Sequence, residues 1–213
     1  MRKTKLTGLI MAAIIFSIAG ASQTQAQFEI KSGISNLMIR TYDPVGDQRR
    51  AYFNEPNKGD ADQGARMYLS NKAEQMWSVE LTAKPDLRDL EKYNYIPVRD
   101  GDMVTLSPID RSVREQSTLY LTMGPAEGTD EITLATQPLG KGNGRRDHVF
   151  IIHKLTKSGN GDEIIRQSDA VAFTSRAYPK LSIGIDFRMP DNRVEQCLLF
   201  ATKKPFKWEL VPR

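Results

Sequence analysis

The sequence predicts an all-β fold of twelve short strands, arranged as three successive sets of four. Three observations lead to this prediction. Beyond residue 26, the best helix candidate is residues 85–93, which is short enough to be a loop with one helical turn. Alternating apolar runs, rich in β-branched and aromatic side chains, lie between turn residues. The order of these runs recurs three times, which indicates an internal repeat.

The first 26 residues have the pattern of a secretory signal peptide. Three basic residues come first, residues 9–19 are almost wholly apolar, and small or polar residues lead to a cleavage site before Gln27. The apolar run is shorter than the roughly 20 residues that a membrane-spanning helix needs. We therefore expect a secreted or periplasmic protein without a membrane span. The three basic residues are Arg2, Lys3 and Lys5.

Charge and cysteine content narrow the possible partners of the mature chain. The whole chain has 30 Lys and Arg and 26 Asp and Glu, and removing the leader leaves 27 basic residues against 26 acidic ones. A surface with so little net charge attracts nucleic acid only weakly, so we expect no nucleic-acid partner.

Cys197 is the single cysteine. Because no intramolecular disulfide can form, the exported domain must rely on its hydrophobic core.

The mature chain, residues 27–213, divides into three units that cover about residues 27–82, 101–156 and 168–213. The strands predicted in the first unit are residues 28–32, 37–42, 66–70 and 76–81. Those of the second are residues 103–106, 118–122, 132–136 and 149–155. Those of the third are residues 170–173, 181–185, 197–201 and 206–210.

A large aromatic residue opens the last strand of each unit. These residues are Trp77, Phe150 and Trp208. Large rings at equivalent positions of three units can pack together at a pseudo-three-fold axis and fill the core there. Each unit has exposed strand edges that it can cover by joining the other two. We therefore predict one domain with pseudo-three-fold symmetry.

Part of the first unit resembles a known family. Residues 62–69 read DQGARMYL, and Gln75-Met76-Trp77 follows. A small turn with Gly, an apolar-aromatic strand and then Gln-x-Trp is similar to a repeat of the ricin-B-type lectins. The architecture of residues 27–213 resembles the β-trefoil of that family, whereas the motif itself is found in the first repeat.

The resemblance implies carbohydrate binding at shallow sites, with an aromatic side chain as the platform and polar groups that hold the sugar hydroxyls. Tyr68 matches the aromatic position, and Asn71 follows as its polar partner. The candidate ligand-binding residues are therefore Tyr68, Asn71 and Gln75. By residue type, Gln75 also fits a buried amide that fixes the turn through its hydrogen bonds. The Asp that the family carries near its second strand has no counterpart in this sequence.

The sequence shows no pattern of an enzyme. It contains no nucleophile elbow, phosphate-binding P-loop or His-Glu-x-x-His motif. His148 and His153 are five residues apart on one predicted strand, so they face opposite sides and do not form a shared metal site. We therefore expect a non-enzymatic binding module with no metal and no cofactor, whose partner is a carbohydrate or a glycoconjugate.

A protein partner is the alternative. Some protease inhibitors and cytokines have the β-trefoil fold, and they bind proteins through a protruding loop. Arg49 and Arg50 lie in a long segment, residues 43–63, that we expect to be such a loop.

Overall fold

The all-β prediction is confirmed. The computed structural model describes residues 28–44, 50–54, 68–83, 88, 91–92, 94–109, 119–126, 128–138, 146–156, 162–186 and 198–213. Twelve strands of these residues belong to a single sheet. The helical residues of the described part are Arg88, Glu91 and Lys92. In chain order the strands are β1 (Ile34–Thr41), β2 (Tyr52–Asn54), β3 (Tyr68–Ser70), β4 (Met76–Leu81), β5 (Met103–Ile109), β6 (Leu119–Pro125), β7 (Ile132–Pro138), β8 (Phe150–Lys154), β9 (Val171–Ser175), β10 (Ser182–Asp186), β11 (Leu198–Thr202) and β12 (Trp208–Pro212).

Six of the strands form a closed ring. Going around it, β1 pairs with β4, β4 with β5, and β5 with β8. The ring continues as β8 pairs with β9, β9 with β12, and β12 with β1. All six pairings are antiparallel, and each ring strand has a partner on both sides. The closure therefore covers edges that would otherwise invite pairing with other chains.

The other six strands form three antiparallel hairpins. They are β2–β3, β6–β7 and β10–β11. Strand β11 also pairs with β3 and with β7, so the hairpins are joined to one another. Each hairpin lies in the chain between two ring strands, and the order of ring strand, hairpin and ring strand occurs three times.

Three buried backbone hydrogen bonds form a cycle among distant parts of the chain. The amide of Ile30 donates to the carbonyl of Ile165 at 2.9 Å, and the amide of Val98 donates to the carbonyl of Ile30 at 2.8 Å. The amide of Ile165 closes the cycle by donating to Val98 at 2.8 Å. The three residues are fully buried and almost evenly spaced along the chain. The cycle therefore connects three segments that are far apart along the chain.

A similar turn follows each residue of the cycle. Gly33, Gly101 and Ser168 stand third after Ile30, Val98 and Ile165 respectively, and their φ angles are 74°, 84° and 75°. Positive φ costs glycine little because it has no Cβ, whereas serine at this position is strained. The chain therefore bends in the same way before it enters β1, β5 and β9.

The aromatic residues predicted at the axis belong to one hydrophobic core. Trp77, Phe150 and Trp208 are fully buried. The ring of Phe53 lies between the two tryptophans, with centroids 5.0 Å from Trp77 and 5.4 Å from Trp208. The indole nitrogens donate to backbone carbonyls, that of Trp77 to Phe53 at 3.1 Å and that of Trp208 to Ile183 at 3.0 Å. Both large rings thus fill the core without leaving a buried donor unpaired.

The strand prediction for the first unit is corrected. Residues 28–32 do not form a strand, because their bridges are single contacts with different segments, Glu29 with Arg166 and Lys31 with Pro97. The run predicted as the second strand is β1, and β2 lies within residues 43–63, where we expected a loop. Three residues are too few to show an alternating pattern, so β2 gave no signal in the sequence.

Candidate functional site

The predicted ligand-binding residues lie along β3 and the turn into β4. The Cα of Tyr68 pairs with Asn54 of β2 and with Leu198 of β11. The side chain of Tyr68 lies outside the part of the structure that is described. Asn71 is partly buried in the turn, and Gln75 stands directly before β4. The three residues thus lie within one short segment of the structure, which runs from β3 to the residue before β4.

A buried asparagine holds this turn in place. The side-chain amide of Asn54 donates to the carbonyl of Lys72 at 2.9 Å. Its carbonyl oxygen accepts the backbone amides of Glu74 at 3.2 Å and of Gln75 at 3.1 Å. Asn54 is fully buried, and each of its two polar atoms is used. These three hydrogen bonds hold the backbone that directly follows Asn71.

Gln75 links the turn to the neighbouring strand. Its side-chain nitrogen donates to the carbonyl of Met76 at 2.8 Å and to the carbonyl of Ile109 at 3.1 Å. Ile109 is the last residue of β5, the ring neighbour of β4. The amide hydrogens of Gln75 are therefore engaged inside the protein, as expected for an amide that fixes a turn.

Arg50, named above as a possible protein contact, interacts with a buried carboxylate. The Nη1 of Arg50 donates to Oε2 of Glu209 at 2.6 Å, and the Nε of Arg40 donates to the same oxygen at 2.9 Å. The Glu209 side chain is 3% exposed, whereas that of Arg50 is 42% exposed. Burial opposes the charge on Arg40, but hydrogen bonds to Glu209 and Tyr52 raise its pKa. Arg49 lies outside the described residues.

Sequence reasoning missed Asn54. The residue follows Tyr52 and Phe53 inside the segment expected to be a loop, where an asparagine is an ordinary turn residue. Its partners, residues 72–75, are about twenty positions further along the chain. No local sequence pattern predicts this contact, because the pairing of β2 with β3 brings the two segments together.

The described residues also bear on metal binding and on membrane spans. Within the described ranges, no three His, Cys, Asp or Glu residues are placed so that they could hold a metal ion. Among the same residues, no helix has both the length and the apolar character needed to cross a bilayer.

Comparison with known proteins finds likeness in structure rather than in sequence. No protein-family model matches the chain, and no curated protein sequence matches it. The crystal structure of the lysenin pore is similar over 88% of this chain, with a TM-score of 0.53 and 12% identity. The chain corresponds to about half of the lysenin chain, 49% of its length. At this identity the likeness is one of fold.

A second similar structure is the S. cerevisiae protein O-mannosyltransferase Pmt1–Pmt2 complex bound to the sugar donor. It matches 89% of this chain and 26% of its own, with a TM-score of 0.49 and 11% identity.

Proposed function

We propose that residues 27–213 form a β-trefoil that acts as an exported, non-enzymatic binding module. The ring of six strands and the three hairpins support the trefoil, because each third of the chain contributes two ring strands and one hairpin. The cycle of hydrogen bonds through Ile30, Val98 and Ile165 supports the pseudo-three-fold relation. The signal-peptide pattern of residues 1–26, which lie outside the described part, supports export to the periplasm or the medium.

The ligand that we propose is a carbohydrate, bound in the first unit by Tyr68 and Asn71. The observation that carries this proposal is the turn fixed by Asn54, which presents partly exposed Asn71 beside the strand that bears Tyr68. A surface that is already ordered loses little conformational entropy when a ligand binds. One shallow site should still bind weakly. We expect a millimolar Kd, which corresponds to a binding free energy on the order of −4 kcal/mol. Gln75 positions the turn in this proposal.

Substitutions in β3 and in the turn that follows it test the carbohydrate site. Tyr68→Ala should abolish binding in a glycan array and in saturation-transfer NMR, whereas Tyr68→Phe should retain much of it because the ring remains. Asn71→Ala should weaken binding by about 1 kcal/mol, the loss of one hydrogen bond. Tyr95→Ala is the matched control, since it removes a tyrosine near Glu29 and Lys31, outside the proposed site. Absence of glycan binding at millimolar concentrations of the unmodified protein would refute the proposal.

Export has its own test. Protein recovered from the periplasm or the medium should begin at or near Gln27 when its N-terminus is sequenced, because Thr24 and Ala26 occupy the positions that signal peptidases recognise. Exported material that retains Met1 would contradict this part of the proposal and leave the sugar site unaffected.

A further inference from the structure

The described chain begins at the surface of the protein, directly after the predicted cleavage site. Phe28 is the first described residue, and its side chain is 41% exposed. The carbonyl of Phe28 accepts a hydrogen bond from the backbone amide of Gln167 at 2.7 Å. Ile30, two residues further on, is fully buried and forms the backbone hydrogen-bond cycle with Val98 and Ile165. A single residue, Glu29, therefore separates the exposed start of the described chain from this buried cycle.

Glu29 is held by an ion pair and by a hydrogen bond. Its carboxylate accepts a hydrogen bond from Nη2 of Arg166 at 3.0 Å and another from the hydroxyl of Tyr95. Arg166 also donates to both carboxylate oxygens of Asp162, at 2.5 and 2.7 Å. The contacts of Phe28 and Glu29 thus fasten the start of the domain to the segment that contains Arg166.

The carboxylates at this end of the chain already have cationic partners. Glu29 and Asp162 both bind Arg166, so their charge is already compensated within the domain. Lys31 adds another cation, with its Nζ 5.9 Å from the centroid of the Phe28 ring. A positive charge is disfavoured near other cations. The surroundings of Phe28 therefore favour the uncharged form of an amino group over its ammonium form.

The predicted cleavage creates a reactive pair of groups within one residue. Cleavage before Gln27 makes this glutamine the first residue of the mature chain. A free α-amino group has a pKa of about 8, so roughly a tenth of it is uncharged and nucleophilic at pH 7. Bond formation between this amine and the side-chain amide carbon closes a five-membered lactam ring, which carries little strain. An N-terminal glutamine therefore holds both the nucleophile and the carbonyl that it attacks.

We propose that Gln27 is a modification site, at which the mature chain is closed by a pyroglutamate. This inference rests on the proposed export, since only removal of the leader creates the reacting amine. The α-nitrogen attacks Cδ of the side-chain amide and forms the lactam bond, while the bond from Cδ to Nε2 breaks. The amine gives up one proton, and Nε2 leaves with it as ammonia. The cyclisation consumes no oxidant, reductant or co-reactant.

The pyroglutamate protects a part of the chain on which the fold depends. Aminopeptidases require a free α-amine, and the lactam removes it. Trimming of the next two residues, Phe28 and Glu29, would remove the hydrogen bonds that they make to the segment around Arg166. Ile30 would then be the end of the chain, although two of the three hydrogen bonds in the buried cycle involve it. The modification therefore preserves the stability of the exported domain.

Mass spectrometry of the exported protein, produced from the full-length precursor with its own leader, tests the modification. We expect an intact mass that is lower, by one molecule of ammonia, than that of residues 27–213, and tandem spectra that place the loss on Gln27. The intact mass is measured before any digestion, because peptides with an N-terminal glutamine also cyclise during handling. Gln27→Ala is the matched control, which keeps the amine without the amide and should show the mass of the open chain.

Treatment with an aminopeptidase tests the protective role. The native protein should keep its N-terminus, whereas Gln27→Ala should lose residues from it and then unfold at a lower denaturant concentration. Removal of the lactam by a pyroglutamyl peptidase should make the native protein as susceptible as the variant. Stepwise chemical sequencing, which needs a free amine, should give no sequence until the same treatment exposes Phe28. Equal resistance of the native protein and Gln27→Ala would overturn the protective role.

The outcomes separate the modification from export. An exported chain that begins with an open Gln27 would overturn the modification and leave export standing. An exported chain that begins at another residue of the mature domain would also overturn the modification, because no N-terminal glutamine has been created. Retention of Met1 in exported material would overturn both the cleavage and the modification that follows from it.

Discussion

At the scale of single residues, the three turns before β1, β5 and β9 differ in how well each residue suits its backbone. Gly33 and Gly101 adopt positive φ at little cost, whereas Ser168 adopts the same conformation with a side chain. A Cβ added at Gly101 would meet no atom within 4 Å. The cost of a side chain there is therefore conformational and not steric.

This difference gives a pair of opposite expectations. Gly101→Ala should lower the free energy of unfolding by about 1 kcal/mol because alanine resists positive φ. Ser168→Gly should leave stability unchanged or raise it slightly, since relief of strain is offset by the greater freedom of glycine in the unfolded chain. Chemical denaturation of both variants measures the two effects. Equal destabilisation by the two substitutions would show that the Ser168 backbone is not strained.

Residue types also explain which site residues could be recognised in advance. Tyr68, Asn71 and Gln75 belong to one stretch of sequence with a family-like motif, so a linear pattern was enough to select them. Asn54, in contrast, meets its partners through strand pairing. Such contacts follow from the fold and have no local signature.

At the scale of elements, the eight strands from β5 to β12 were predictable because they have five to seven residues with clear apolar runs. The strands before β5 were harder to predict. Strand β2 has three residues, and Phe53 within it supplies the ring between Trp77 and Trp208. A short strand defined by the partners on its two sides has too little sequence of its own to be recognised.

The last ring strand, β12, provides the prediction at this scale. Trp208→Ala should lower the free energy of unfolding by about 3–5 kcal/mol, because the ring is fully buried against Phe53 and Phe206. Trp208→Phe is the matched variant. It keeps a ring but leaves the Ile183 carbonyl without the indole donor, so a smaller loss of about 1–3 kcal/mol is expected. An unchanged denaturation midpoint in Trp208→Ala would show that this side chain does not support the core.

At the scale of the whole molecule, closure depends on parts of the chain that are far apart in sequence. Strand β12 pairs with β1 over five residue pairs, from Leu37–Pro212 to Thr41–Trp208. Strand β11 reaches β3 and β7 of the other two hairpins. Most of the strands could be predicted from the sequence, but the pairings among the hairpins could not, because they join residues with no common sequence signal.

The cycle through Ile30, Val98 and Ile165 has a consequence for how the molecule opens. Each of its amides donates to a different segment of the chain, so local fraying of one segment frees its own amide and also removes the acceptor of another amide in the cycle. In native-state hydrogen exchange the three amides should therefore report the same opening free energy, equal to that of global unfolding. Much faster exchange at one of them would reveal a unit that opens by itself. If the three values agree, the smallest cooperative part of this protein is the entire domain, and deleting any single unit should leave the other two unable to fold.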